Sequence, residues 1–113
     1  MEKDDILANL AQELRRGTIV LCVLNQLRRP QYGYNLVATL AGSGITVETN
    51  TLYPLLRRLE GQGLLQSQWE TEGAKPRKYY ATTPLGNQVY AGLKRQWEET
   101  VEGMRILLED DEK

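Results

Sequence analysis

Thr49-Asn50-Thr51-Leu52-Tyr53-Pro54-Leu55-Leu56-Arg57-Arg58-Leu59-Glu60-Gly61-Gln62-Gly63-Leu64-Leu65 is the stretch around which the rest of the chain is arranged. Leu52, Leu55, Leu56 and Leu59 recur at i, i+3, i+4 and i+7, the spacing of an apolar stripe on one side of an α-helix. At 100° per residue the opposite side carries Asn50, Tyr53, Pro54 and Arg57, with Thr51 and Arg58 on one flank and Glu60 on the other. Thr49 or Asn50 is a suitable N-cap, and Gly61 and Gly63 close the segment. A proline lacks an amide proton and disfavours the α region for the residue before it. Pro54 is therefore expected in the first turn, which puts the start of the helix close to Asn50.

The next two runs predict a β-hairpin. Leu65, Ser67 and Trp69 alternate with Gln66, Gln68 and Glu70, and Arg77-Lys78-Tyr79-Tyr80-Ala81-Thr82-Thr83 is rich in aromatic and β-branched residues. Gly73 and Pro76 form its tip, flanked by Lys75, Arg77 and Lys78. Tyr79 and Tyr80 point to opposite faces of their strand, so at least one belongs to the core. A helix with a polar, basic outer side followed by a hairpin with a cationic tip is the layout of a winged helix-turn-helix. In that layout the helix enters the major groove and the wing lies along the neighbouring backbone.

Working outward, Asp5 to Leu27 reads as a first helix, with Ile6, Leu7, Leu10 and Leu14 followed by the denser apolar run Ile19 to Leu24, and with Gly17 as a weak point. Arg28-Arg29-Pro30 ends it. A second helix fits Tyr32 to Leu40, with Leu36, Val37 and Leu40 inward, and Gly42-Ser43-Gly44 breaks it. Ile45 to Glu48 then makes a connector longer than the turn of the simplest helix-turn-helix, which favours a winged variant. Thr83 and Pro84 supply a cap and a first helical residue for the last helix. Leu85, Val89, Leu93, Trp97, Val101, Met104 and Leu108 mark its stripe, before an acidic tail over Glu109 to Glu112.

That last helix is too long for so small a domain to cover, since about 25 residues span ~37 Å. A second copy is the expected partner, with Leu10 and Leu14 of the first helix and Leu93, Trp97, Val101, Met104 and Leu108 of the last one forming the contact. A two-fold pair would hold two reading helices at half-site spacing. The fold class is thus mainly α with a small β-hairpin. Residues 1–83 form a winged helix-turn-helix DNA-binding domain whose first helix also serves the dimer, and residues 84–113 form a C-terminal dimerisation helix and acidic tail.

Composition removes several alternatives. The chain has 113 residues, no histidine and one cysteine, Cys22, so a zinc site and an internal disulfide are excluded and no cofactor is implied. The first residues are acidic and polar, and no apolar window is long enough for a bilayer; a cytoplasmic protein with no membrane partner is expected. Net charge is −1, but it is unevenly spread. Residues 1–14 hold one Lys against four acids, residues 15–78 nine Lys or Arg against four Glu, and residues 79–113 four basic against seven acidic groups. Positive charge is concentrated where phosphates would be met, and a local basic face is what counterion release requires. There is no glycine-rich phosphate loop, no nucleophile motif and no paired carboxylates flanking an evident pocket, so an enzyme is not expected.

Three motifs in this order and spacing carry a family resemblance: Thr51-Leu52-Tyr53-Pro54-Leu55-Leu56-Arg57-Arg58-Leu59-Glu60-Gly61-Gln62-Gly63-Leu64; Tyr32-Gly33-Tyr34; and Arg77-Lys78-Tyr79-Tyr80 with Thr83 and Gly86 behind it. Over roughly Leu14 to Gly86 the chain resembles PadR-like transcriptional regulators, in the subgroup with a single short C-terminal helix. The resemblance implies a dimeric winged-helix repressor whose last helix packs on the partner's first. It also implies that a tryptophan on the last helix, here Trp97, can stack a planar aromatic effector at the dimer interface. Asn50 stands where the family often has Gly or Ala, and Thr82 where leucine is frequent.

Residue chemistry assigns the roles. Arg57 can place its fork on a guanine edge or a phosphate, and Asn50 can pair with adenine or cap the helix. Thr49, Thr51, Pro54 and Arg58 share that outer surface. Tyr34 and Tyr53 can donate to phosphates or simply pack as half-buried rings. Lys75, Arg77 and Lys78 are wing phosphate contacts unless the wing is only a solvated loop, and Arg15-Arg16 and Arg28-Arg29 read as solvated charge. Trp97 either stacks a ligand or fills the dimer interface. The rival to a double-stranded-DNA-binding regulator is a winged-helix module that binds protein.

Overall fold

The protein is described from a computed structural model covering residues 2–109. Among these residues the order is α1 (Lys3–Gln26), β1 (Gln31–Tyr32), α2 (Gly33–Gly42), α3 (Thr49–Gly61), β2 (Leu65–Glu70), β3 (Arg77–Thr82) and α4 (Pro84–Glu109). The fold is mainly helical with a small antiparallel sheet and a C-terminal helix, as the sequence pattern predicts. The acidic tail expected beyond Glu109 lies outside the described residues.

The leucine stripe of α3 finds its core. Leu52, Leu56 and Leu59 are buried against Leu24 and Leu27 of α1, Leu36 and Leu40 of α2, and Leu65 and Tyr80 of the sheet, with Leu55 partly covered at the edge. Fully burying a leucine contributes roughly 1.5–3 kcal/mol, so this cluster is the main local source of stability. Tyr80 is therefore the core member of the Tyr79-Tyr80 pair. The expected weak point at Gly17 does not interrupt α1, which runs unbroken for 24 residues. A glycine there costs about 1 kcal/mol relative to alanine, less than the packing of the run that follows it.

Two expectations about the start of α3 are corrected. Neither Thr49 nor Asn50 is the N-cap: Glu48 occupies that position in an extended conformation, and no side chain caps the helix. Asn50 is thus a helical residue with its amide free of capping duty. Pro54 consequently falls in the second turn rather than the first. The helix tolerates it because the buried leucines on the other side outweigh the one backbone bond the ring removes.

The hairpin also gains a strand that the sequence pattern did not predict. The sheet order is β1-β3-β2, all antiparallel, with Gln31 opposite Tyr80 and Tyr32 opposite Tyr79. β1 is two residues long and follows Pro30, too short to show any alternation. As expected, Thr83 caps α4: the Gly86 N–H donates to the Thr83 hydroxyl oxygen over 3.0 Å, and that hydroxyl donates to the Gly63 carbonyl over 2.6 Å. The backbones meet so closely here that a Cβ on Gly86 would overlap the Leu64 carbonyl oxygen. Gly63, at φ +80, makes the turn that brings Leu64 to this junction.

Val89, Tyr90 and Leu93 of α4 pack on the core, but beyond them the helix leaves the domain. Trp97, Val101, Met104 and Leu108 remain exposed, as do Leu7, Leu10 and Leu14 of α1. The radius of gyration, 16.8 Å, exceeds the ~13 Å expected of a compact chain this long. No helix among the described residues is long and apolar enough to cross a membrane.

Candidate nucleic-acid interface

α3 is held from behind by its leucines, so its outer side is fixed in direction and free of internal partners. Asn50, Thr51, Pro54, Arg57 and Arg58 are exposed, as is Thr49 at the first helical position. Among the described residues neither arginine enters an ion pair, whereas Arg105 on α4 pairs with Glu102 at 2.7 Å and Glu109 at 3.1 Å. Asn50, Pro54 and Arg57 lie within about 60° of one another around the helix axis. They form a continuous stripe of hydrogen-bonding and cationic chemistry.

Tyr53 is half-buried at the edge of that stripe. Its ring lies on Gly33, where a Cβ would come within 2.9 Å of the Tyr53 Cε1 atom, so the bare glycine at the start of α2 seats the tyrosine. Tyr34, 51% exposed, stacks on Tyr32 with centroids 5.8 Å apart and planes at 9°. Packing thus holds the Tyr34 ring while leaving its edge open to solvent.

The wing is tied to this aromatic pair. The Arg77 guanidinium lies 5.4 Å from the Tyr32 ring centre and 5.9 Å from that of Tyr34. The Tyr32 hydroxyl donates to Glu70, which raises the phenol's pKa above its ordinary value. Lys78 is less free than a solvated wing lysine: its Nζ lies 3.9 Å from the Glu60 carboxylate and 5.4 Å from the Tyr80 ring centre. Such a half-exposed pair at that distance is weak. Lys75 is exposed on the loop between β2 and β3.

Tyr34, Tyr53, Arg57, Arg77 and Lys78 thus converge on one cleft of about 410 Å³ between α3 and the wing. Thr51 does not join them and instead faces a separate hollow with Arg15 and Glu48. Trp69 is in the cleft and was not anticipated there. Strand alternation assigns it to the inward face together with Leu65, yet it is 62% exposed. The alternation identifies the face correctly, but the hairpin extends past the helices beneath it.

A second cleft, about 400 Å³, lies between α1 and α4. Trp97, Tyr90, Leu21, Cys22 and Ile45 line it, with Lys94 at its margin. Asn25 donates to the Tyr90 hydroxyl over 2.8 Å, and Arg28 covers the Tyr90 ring at 4.8 Å. Burial pushes the Cys22 thiol pKa upward, so it is a packing group at neutral pH rather than a reactive one. Among the described residues no cluster of His, Cys, Asp and Glu could hold a metal.

Residues 20–92, which contain α2, α3, the whole sheet and the start of α4, match the Transcriptional regulator PadR-like family. The chain belongs to the PadR-like family. Among solved structures, this PadR-like regulator is similar to a PadR family transcriptional regulator from Eggerthella lenta, with 56% identity, a TM-score of 0.88, and coverage of 94% of this chain and 95% of that one. The transcriptional regulator Rv3488 of Mycobacterium tuberculosis is 33% identical over 89 residues, 78% of this chain and 83% of that protein. The fold is also that of Bacillus subtilis PadR, solved in complex with operator DNA: TM-score 0.62, 22% identity, covering 67% of this chain and 45% of that one. The PadR-like family is one of transcriptional regulators, not of enzymes.

Proposed function

We propose that this transcriptional regulator is a cytoplasmic homodimer that binds a pseudo-palindromic operator in double-stranded DNA and represses until an effector releases it. The observation that carries this is the pairing of two unfinished surfaces. One is the outward stripe Asn50, Pro54 and Arg57 beside a cationic wing, and the other is the apolar stripe left open on α1 and α4. The first has the chemistry of groove and backbone contact. The second supplies the two-fold pairing that sets half-site spacing. Residues 1–83 would bind DNA, and 84–113 would dimerise with help from Leu10 and Leu14. The operator-bound state of Bacillus subtilis PadR supports the same use of a shared fold.

Thr49, Asn50, Thr51, Pro54, Arg57 and Arg58 would face the major groove, with Tyr34, Tyr53, Lys75, Arg77 and Lys78 on the backbone. Leu93, Trp97, Val101, Met104 and Leu108 would meet the partner. A planar aromatic effector would enter the cleft at Trp97, which is 47% exposed, and shift the dimer toward a spacing that no longer fits the operator. Such a ligand acts only through its differential affinity for the two dimer states.

The test is a mobility-shift assay on DNA upstream of the protein's own gene, with size measurement of the free protein and titration of planar aromatic dyes. Trp97→Ala is expected to weaken dye binding at least tenfold while the dimer persists. Loss of the dimer would instead assign Trp97 to packing. A monomer that ignores duplexes in dilute buffer would end the proposal.

A further inference from the structure

The cleft between α3 and the wing contains a residue that neither the reading stripe nor the core uses. Cross-strand pairing sets Leu65 opposite Thr82, Ser67 opposite Tyr80 and Trp69 opposite Lys78. Paired residues and their i+2 neighbours share a face, so Trp69 and Lys78 continue the face that buries Leu65 and Tyr80. The indole of Trp69 is 62% exposed and stands open over the gap between the hairpin and the helices. Lys78 Nζ lies 5.8 Å from its ring centre. Arg57 approaches from α3, Arg77 from β3, and Tyr34 and Tyr53 form the opposite wall.

Taking the DNA-binding reading above as given, we propose that this cleft is a slot for one sugar–phosphate unit of the DNA backbone, with Trp69 as its apolar wall. Three cations border it, and among the described residues the one carboxylate in an ion pair with them is Glu60, against Lys78. That balance suits a phosphodiester. Its volume, about 410 Å³, is at the small end of ligand-sized clefts and is enough for one sugar–phosphate unit. The location agrees: with α3 in the major groove and the wing along the neighbouring backbone, the strand separating them crosses this gap. Arg77 and Lys78 take the phosphate oxygens, and the C–H face of the deoxyribose lies on the indole. Trp69 is then a contact that strengthens binding to any duplex and carries no base information.

The experiment uses the full chain and two duplexes of about 30 base pairs, one of arbitrary sequence and one from the DNA upstream of its own gene, with affinity followed by anisotropy across a salt series. Trp69→Ala is expected to weaken binding to both duplexes about five- to twentyfold, with the salt slope unchanged because no charge is removed. Trp69→Phe should recover most of the loss, and the melting temperature of both variants should match that of the wild type. Trp69 and Trp97 are the two indoles of the chain, and the part of the emission that Trp69→Phe removes should change on adding either duplex. Unchanged affinity in Trp69→Ala, with DNA still bound, overturns the slot and leaves the DNA reading intact. So does a loss confined to one sequence, which would make Trp69 a base reader, or a lowered melting temperature that phenylalanine does not restore. A wild-type protein that binds neither duplex removes both the slot and the reading beneath it.

Discussion

α3 and α4 are both amphipathic helices, yet one is completed within the chain and the other is not. Leu52, Leu56 and Leu59 of α3 are buried, and its outer side is polar. In α4 only the first part is covered, and Trp97, Val101, Met104 and Leu108 remain exposed. An apolar stripe declares that a helix will be covered; it does not say whether the cover comes from the same molecule. Helix length compared with domain diameter decides that, and α4, 26 residues or ~39 Å long, exceeds what the domain spans.

The sharpest way to break this contrast is to truncate one apolar side chain on each helix. Leu56→Ala should cost about 2–5 kcal/mol in urea unfolding, independent of protein concentration. Met104→Ala should cost little at high concentration and progressively more on dilution, because in the proposed dimer the contact it removes lies between copies. Equal, concentration-independent losses would mean that α4 is completed within one chain after all. Next in size, Gly86→Ala should destabilise by about 1–3 kcal/mol in thermal melts, since the new methyl must displace the Leu64 backbone.

Effects on the outer side of α3 should spare stability and appear in binding. Arg57→Ala is expected to weaken specific binding by about 1–3 kcal/mol without moving the melting temperature; full retention of sequence preference would remove Arg57 from the readout. Lys78→Ala should lower affinity for all sequences and reduce the salt slope by about one. A slope that stays put would leave Lys78 tied to Glu60 even on DNA.

Smallest is the wing anchor. The hydrogen bond to Glu70 holds the Tyr32 pKa above its ordinary value. The neutral phenol therefore contributes fully below the unfolded value of about 10, and that contribution is lost as pH rises through the folded-state value. As pH rises past about 10, wild type should lose melting temperature to a greater extent than Tyr32→Phe. Parallel curves would show that the bond has no energetic weight.

α3 and the hairpin were legible because leucines at helical spacing, two closing glycines and strict alternation each point to one local structure. The start of α3 was not: Thr49 and Asn50 are both good caps, and nothing local reveals that the core lets Pro54 sit a turn deeper. β1 is too short to carry a period. Alternation puts Trp69 on the face of Leu65 but leaves its exposure open, because it has no knowledge of how far the helices underneath extend. At the cleft, Tyr34, Tyr53, Arg57, Arg77 and Lys78 could be named from the sequence, while the stacking of Tyr32 under Arg77 depends on strand pairing.

Pro54 has a consequence for how α3 meets its target. Its ring nitrogen has no proton for the Asn50 carbonyl, so the front turn is braced by one strut fewer than the back. In the proposed groove-bound state, a front turn with one bond fewer gives more easily than the leucine-anchored back, which would let its tip follow grooves of unequal width. Pro54→Ala should stiffen it, raising the melting temperature by restoring helix propensity and narrowing the set of duplexes bound. If that set stays as broad as before, the pliancy has no part in recognition.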